Sequence, residues 1–378
     1  MLILLLIGML TMAFIFDVKP VQAWTGTVYI RADGTIDPPD APITTLDNMT
    51  YTLNDNIRSY HDGIVVERDN MIIDGIGCTV QGGGDYPFKG IILEGRSNVT
   101  IKNLTVWIFF EGIRLHNSSN NTISGNNIVN NWDGIRFDFS SNNVIRGNNI
   151  RANKLDGIFI FSSLNNTISG NSIENNKFDG ICLDSSSNNV ICGNNITSNY
   201  LDGIDLTYSL NNTICGNNIT DNCYGINLIH YSSNNVIYHN NFINNTKQAY
   251  IETGGYPNTW DDGYPFGGNY WSDYTGTDCY SGPYQNETGH DSIGDTPYVI
   301  DANNTDRYPL IYPYCFVPCP DVNGDRKVDI LDAVKAAVAF GSTPGHRRWD
   351  YNVDQNKDST INILDLIIIA KNFGKTYP

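Results

Sequence analysis

Residues 179–201 read DGICLDSSSNNVICGNNITSNYL, and residues 202–223 read DGIDLTYSLNNTICGNNITDNC. The second stretch repeats the first in type: an Asp-Gly-Ile opening, a Ser/Asn-rich middle and a Gly-Asn-Asn-Ile close. Outward from this pair, Gly-Ile recurs at Gly90-Ile91, Gly112-Ile113, Gly134-Ile135, Gly157-Ile158, Gly180-Ile181, Gly203-Ile204 and Gly225-Ile226, at intervals of 22, 22, 23, 23, 23 and 22 residues. Ile101, Ile123, Ile145, Ile168, Ile191, Ile214 and Ile237 keep the same beat, as do Ile128, Ile150, Ile173, Ile196, Ile219 and Phe242. A fixed period of this length marks a solenoid.

Within each unit apolar and polar residues alternate in runs of three to five, as in Ile204-Asp205-Leu206, with Asn and Gly between the runs. That is a strand period, and no strand this short buries its apolar side alone. The reading is a mainly β fold: a right-handed, single-stranded parallel β-helix of 22–23-residue coils stacked about 4.8 Å apart. Ile and Leu columns fill the axis, and Asn occupies the bends, where it tolerates the left-handed backbone and its amide can bond to the next coil. Residues 24–60 are expected to cap the first coil, residues 61–246 to form the repeats and residues 247–314 to form a C-terminal cap. Pro318 and Pro320 make residues 315–320 a stiff linker.

The 378 residues carry 23 Lys plus Arg against 40 Asp plus Glu, a net charge of −17. That excludes a nucleic-acid binder, whose affinity needs clustered cations. Residues 2–16, LILLLIGMLTMAFIF, and the small Ala23 after them read as a secretory signal over residues 1–23, or as an uncleaved anchor, since a basic start is missing. No later segment is long enough to span a bilayer, so a secreted or cell-surface monomer is expected. Cys192 and Cys215 hold equivalent places in successive coils, either bridged or merely stacked.

The array changes where it leaves its consensus. The position before Gly-Ile reads Glu111, Asp133, Asp156, Asp179, Asp202, Tyr224. Carboxylates about 4.8 Å apart must stay wet, bind cations or hold a proton; alternatively, Asp before Gly is turn chemistry copied by duplication. One outward column reads Arg114, Arg136, Phe159, Cys182, Asp205, Asn227, and the next His116, Asp138, Phe161, Asp184, Thr207, Ile229. Asp184 and Asp205 are diagonal neighbours on one face, with Asp138 and Arg136 further down. These four are the candidate catalytic residues, because glycoside hydrolysis needs two carboxyl groups at a set separation. The competing reading is a solvated sheet face. In the cap, Asp273, Asp278, Asp291 and Asp295 are candidates for a further calcium, and Trp260, Tyr264, Tyr270, Trp271 and Tyr274 either grip sugars or pack the cap.

Beyond the linker, residues 321–332 read DVNGDRKVDILD and residues 354–365 read DQNKDSTINILD. Oxygen side chains fall at loop positions 1, 3, 5, 9 and 12: Asp321, Asn323, Asp325, Asp329 and Asp332, then Asp354, Asn356, Asp358, Asn362 and Asp365. Lys327 and Thr360 would each lend a backbone carbonyl. This spacing wraps a hard cation in oxygens, so two Ca2+ ions and calcium-dependent folding are expected. The sixth position is Arg326 and Ser359 rather than Gly.

This segment, residues 321–376, resembles a dockerin, a module that plugs into a cohesin. The resemblance implies a cohesin-type partner, contacted through Ile330, Leu331, Ile363 and Leu364, although these apolar pairs would equally suit a core. The remainder resembles the NosD-like β-helix proteins with carbohydrate-binding and sugar-hydrolysis repeats, on YIRADG at residues 29–34, the repeats, GNYWSDY at 268–274 and GDTPY at 294–298. That resemblance implies work on extracellular polysaccharide as hydrolase or lyase. The alternatives are a non-catalytic glycan binder, an adhesive surface protein and, last, copper delivery; no two of the six His share a column in adjacent coils.

Overall fold

The computed structural model describes residues 24–84, 86–252, 256–314, 320–323, 327–343, 346, 348–350, 352–356 and 358–376. The segment read as a signal, most of the linker, and Asp325 with Arg326 lie outside the described residues.

Three long sheets run the length of a solenoid, two of eleven strands and one of ten. Each coil gives one strand to each sheet, and each strand pairs in parallel with its equivalent one coil on. Ile181–Asp184, for example, sets Ile181 against Ile204 and Asp184 against Thr207. The columns drawn from the repeat are the observed registers: Arg114 pairs with Arg136, Arg136 with Phe159, Phe159 with Cys182, Cys182 with Asp205, and Asp205 with Asn227. Residues 24–60 give strands to all three sheets: Val28–Ile30 pairs with Ile64–Val66, Thr50–Leu53 with Met71–Asp74 and Ile57–Arg58 with Thr79–Gln81. Two antiparallel strands fold over this first coil, Ile36–Asp37 and Ile43–Thr45.

The apolar columns form one axial core; Ile181, Leu183, Ile191 and Ile196 of a single coil are all fully buried. The Gly of Gly-Ile is required by close approach. A Cβ on Gly180 would meet Ile196 Cγ2 at 2.6 Å and the Gly203 carbonyl oxygen at 2.7 Å.

Two adjacent Asn divide the work of each bend. Asn188 takes the left-handed backbone (φ 58). Buried Asn189 turns inward and donates its backbone and side-chain N–H groups to Asn212 Oδ1, at 2.8 and 3.1 Å. This repeats coil after coil, so buried amides satisfy one another where the backbone leaves the sheet. Cys192 and Cys215 form a disulfide between two coils, with Cα atoms 4.8 Å apart.

The bend after the Gly-Ile strand is left-handed through six successive coils: Asn117, Phe139, Ser162, Ser185, Tyr208 and His230 have φ between 47 and 52°. Outside Gly and Asn this costs about 1–2 kcal/mol. At the C-terminal end Phe242 stacks on Trp271 at 4.5 Å. Buried Asp306 there accepts from Trp271 Nε1 at 2.8 Å and from the Asn269 N–H at 2.7 Å.

The C-terminal segment packs two helices, Ile330–Ala339 and Ile363–Lys371, each opened by a capping box, with Asp329 and Asn362 as N-caps and Asp332 and Asp365 reaching back. Its own small core includes Val322, Val328, Ala336, Trp349, Val353 and Ile369.

Candidate functional site

The outer face of the Gly-Ile sheet carries the acidic column, and it divides in two along the axis. In the first half, Arg114 and Arg136 rise from the strands between Glu111, Asp133 and Asp138, all three buried. Arg114 Nη1 lies 2.8 Å from Glu111 Oε1, and its Nη2 is paired with Asp138. Arg136 reaches Asp133 Oδ2 at 3.3 Å, Asp138 Oδ1 at 3.4 Å and Glu111 Oε1 at 3.6 Å. Its guanidinium also covers Phe159, 4.5 Å from the ring centre. Asp138 and Arg136 are therefore members of a closed ion-pair network, and one face of Phe159 is taken.

In the second half the arginine column has run out, replaced by Phe159, Cys182, Asp205 and Asn227, while the carboxylates continue. Ligand atoms of Asp179, Cys182 and Asp205 lie within 4.8 Å of one another, the one such group of His, Cys and carboxylates among the described residues. Burial, then the Asp156 and Asp202 charges, push the Asp179 carboxyl up to about 9. Burial first, then Asp202, raise Asp205 to about 7. Asp156 is raised to about 7 and Asp202 to about 6, again chiefly by burial. The Cys182 thiol is pushed well up by burial and then by Asp205, so it stays protonated.

Hydrogen bonds fix the group from both sides. Thr207 Oγ1 donates to Asp205 Oδ2 at 3.1 Å, and Asn227 Nδ2 to Asp202 Oδ2 at 2.8 Å. One oxygen of each column residue accepts the next coil's backbone: the Asp179 N–H reaches Asp156 Oδ1 at 3.0 Å and the Asp202 N–H reaches Asp179 Oδ1 at 2.9 Å.

The structure thus groups Asp205 with Asp179 and Cys182 rather than with Asp184. Asp184 is half-buried, accepts from Ser185 Oγ at 2.8 Å and acts on Asp205 as one more negative charge. Sequence reading treated the Asp column and the outward column separately and so missed this meeting. It also missed the apolar wall beside the acids. Trp132, Leu155, Phe178 and Leu201 follow one another coil by coil, Leu155 N–H bonding to the Trp132 carbonyl and Phe178 N–H to that of Leu155. Trp132 and Phe178 are exposed. The position immediately before the Asp of each repeat was the available signal.

In the cap each of the four candidate carboxylates accepts a hydrogen bond. Asp278 accepts from Ser292 N–H at 2.9 Å, Asp295 from Tyr280 N–H at 2.8 Å, Asp291 from Gln285 Nε2 at 3.0 Å and Asp273 from the Tyr298 hydroxyl at 3.1 Å. Trp260 and Trp271 are buried in the end of the solenoid, so they pack.

In the second oxygen-rich loop Asn356 Nδ2 and Asn362 Nδ2 converge on Asp358 Oδ2 at 2.8 and 3.3 Å, and Asp354 Oδ2 accepts the Ser359 N–H at 2.8 Å. Ser359 takes the left-handed backbone (φ 64) that the sixth position asks for. In the first loop Asp332 accepts from Asn323 N–H at 3.1 Å and from Asp329 N–H at 2.8 Å. Ile330, Leu331, Ile363 and Leu364 are 64, 56, 57 and 51% exposed, at matching places on the two helices. None of the four belongs to a core. Among the described residues no helix is long and apolar enough to cross a membrane.

A comparison with curated proteins finds no match. Among solved structures, the periplasmic alginate epimerase AlgG is 16% identical, with 58% of this chain covering 80% of that one at a TM-score of 0.42. ORF18 of Geobacillus virus E2 is 15% identical, with 74% of this chain covering 58% of that one at 0.48. Full-length tailspike protein 2 from Escherichia coli O157:H7 bacteriophage CAB120 is 16% identical, with 67% of this chain covering 38% of that one at 0.47. At these identities the likeness is one of fold. The family profile described as right handed beta helix region matches residues 62–199 and 111–261, together more than half of the chain, and the protein belongs to that family.

Proposed function

We propose that the protein hydrolyses an extracellular polysaccharide at the second half of the acidic face. The observation that carries this is the pairing of Asp179 and Asp205 within 4.8 Å, with both carboxyls raised by burial and by the neighbouring acids. Retaining glycosidases hold their two carboxyls about 5–5.5 Å apart and inverting ones about 6.5–9.5 Å, so a pair this close is nearer the retaining arrangement than the inverting one. Asp179 keeps its proton at neutral pH and donates it to the glycosidic oxygen as the leaving sugar departs. Asp205, the more readily ionised of the two, attacks the anomeric carbon and forms a glycosyl ester. Water then displaces that ester, giving its proton to Asp179 and restoring both groups. Trp132, Leu155 and Phe178 offer the apolar wall along which pyranose rings can lie.

A lyase would need free cations to neutralise a uronate, and Arg114 and Arg136 are already committed to Glu111, Asp133 and Asp138. New reducing ends from a polysaccharide panel, without the ultraviolet absorbance of an unsaturated uronate, are therefore expected. Asp205→Asn and Asp179→Asn should each lower turnover at least 100-fold; full activity in either variant would sink the assignment. One observation favours a second reading, a glycan binder without turnover. The same column accepts backbone N–H groups from coil to coil, a role that needs no chemistry.

We further propose that the C-terminal segment binds two Ca2+ ions and docks on a cohesin-type partner, which would hold the secreted chain at a cell surface or scaffold. The donor set fits a hard cation: the amides now turned to Asp358 would present their oxygens instead, beside Asp354 and Asp358. Asp321, Asn323, Asp325, Asp329, Asp332 and the Lys327 carbonyl would hold the first ion. The exposed Ile330-Leu331 and Ile363-Leu364 pairs support the docking reading over a core role. Chelation with EGTA should remove the helical circular dichroism signal and leave the β signal intact. A helical signal unchanged by EGTA would overturn the calcium reading.

A further inference from the structure

We infer that the bend beside the acidic face is a glycan-stacking subsite, formed by Tyr208 over a notch at Ser185 and Ser162, which takes a neutral pyranose chain. The inference rests on the polysaccharide reading above and names its substrate class.

The bend after the Gly-Ile strand is left-handed from Asn117 to His230, and three of these six coils meet that demand with small or amide side chains: Asn117, Ser162 and Ser185. The other three place a ring there instead, Phe139 at φ 51, Tyr208 at φ 49 and His230 at φ 50. Bulky residues in this region are rare because the Cβ crowds the carbonyl. Burial does not offset the strain, since Phe139 is 53% exposed and Tyr208 50%. Strained, exposed rings on an otherwise regular array point to a task at the surface.

Ring geometry says what that task is. Tyr208 stacks on His230 at 5.0 Å and 24°, and on Tyr231 at 6.2 Å and 21°, so its plane lies across the solenoid axis. Ser185 and then Ser162 hold the equivalent places one and two coils back, on the side of Tyr208 away from His230. Below these two coils the notch is closed by Phe139, packed edge-on against Phe161 at 5.6 Å. Three coil spacings separate Phe139 from Tyr208, roughly 14 Å at 4.8 Å each, room for pyranose rings with one laid flat on Tyr208. The hydroxyls of such a ring would meet Ser185 and the Asp184 carboxylate, which are already hydrogen-bonded at 2.8 Å.

Charge selects the class. The chain carries a net charge of −17, and Asp184 beside the notch accepts from a hydroxyl, Ser185 Oγ, rather than pairing with a cation. A polyanionic glycan would be repelled, and a neutral one would not. Tyr208 directly follows Thr207, the partner of Asp205, so a chain held in the notch is delivered to the proposed reacting pair.

Native affinity electrophoresis of the full chain with calcium tests this, using soluble β-1,4-glucan, β-1,4-mannan, α-1,4-glucan and, as the acidic control, polygalacturonate in the gel. At least one neutral polymer should retard the protein and polygalacturonate should not. Tyr208→Asn should weaken that retardation at least tenfold while its thermal midpoint stays within about 2 °C of the parent, because Asn suits the left-handed bend. Tyr231→Asn, which leaves the open face of Tyr208 in place, should keep most of the binding. Retardation untouched by Tyr208→Asn, retardation by polygalacturonate alone, or none by any polymer overturns the inference. A Tyr208→Asn midpoint lowered by more than about 5 °C would mark the ring as structural and overturn it too. Asp205→Asn separates the two proposals. Binding retained without turnover in the parent leaves the subsite and removes the enzyme; turnover unaffected by Tyr208→Asn does the reverse.

Discussion

The two halves of the acidic face have the same backbone, register and column of carboxylates, yet different chemistry. Between Glu111 and Asp138 two arginines neutralise three buried acids. Between Asp156 and Asp205 the positions that held arginine carry Phe159, Cys182 and Asp205 itself, and the carboxyls respond by holding protons. Burial raises Glu111 and Asp133 as well, but there Arg114 and Arg136 oppose it. A repeat protein therefore builds a proton-holding acidic patch with no new fold, by stopping one column of cations three coils early. Sharing the scaffold makes each half a control for the other.

Extending the cation column should erase the difference. Cys182→Arg places a guanidinium one coil above Phe159, between Asp179 and Asp205, and would return both to ionised carboxylates. Loss of the proton donor should cost at least 100-fold in polysaccharide turnover, about 3 kcal/mol of barrier. Turnover that survives in a folded Cys182→Arg variant would show that the raised carboxyls are not the reacting groups.

Removing a cation from the first half tests the opposite sign. Arg136→Met strips the shared partner from Asp133 and Asp138, which are 2 and 5% exposed. Breaking a buried pair from one side costs about 3–5 kcal/mol, read as a lower midpoint in denaturant at pH 7. The loss should shrink near pH 4, where the orphaned acids take up protons. In the second half no pair exists to be broken, so Asp156→Asn should raise the midpoint.

The fold was legible because every coil repeats it. Gly180 and its equivalents, the Ile columns and the paired Asn of each bend all write the same constraint many times, and the registers follow by counting. The site was less legible for the converse reason, since it lies where copies differ and where two columns meet. Asp184 and Asp205 share a face by counting, but the turn geometry that tips Asp179 toward Asp205 is a matter of side-chain direction, which strand period does not encode. Trp132 and Phe178 stand immediately before the Asp that opens each unit, at a position where the copies differ. The helix positions Ile330 and Leu331 look like core by composition, and their exposure follows only from how Ala336 and Ile369 bring the two helices together.

The smallest effect is the most diagnostic, because it needs no substrate. Asp156, Asp179, Asp202 and Asp205 have folded values of about 7, 9, 6 and 7, all above the ordinary 3.8. Between pH 4 and 9 the folded chain therefore holds more protons on these groups than the unfolded chain does. Their contribution to stability is fully present below about pH 4 and is lost as pH rises through the folded values. Unfolding in denaturant, with calcium present, should show stability falling from pH 5 to pH 9. Asp306, raised to about 7 in the cap, adds to the same slope, so the column is read by difference. Asp179→Asn should flatten the slope and gain on the order of 1–3 kcal/mol at pH 8, whereas Asp138→Asn, which removes a partner of Arg114 and Arg136, should lose stability there. If both variants shift the pH 8 stability in the same direction, the two halves of the face are electrostatically alike, and the contrast on which the proposed chemistry depends is gone.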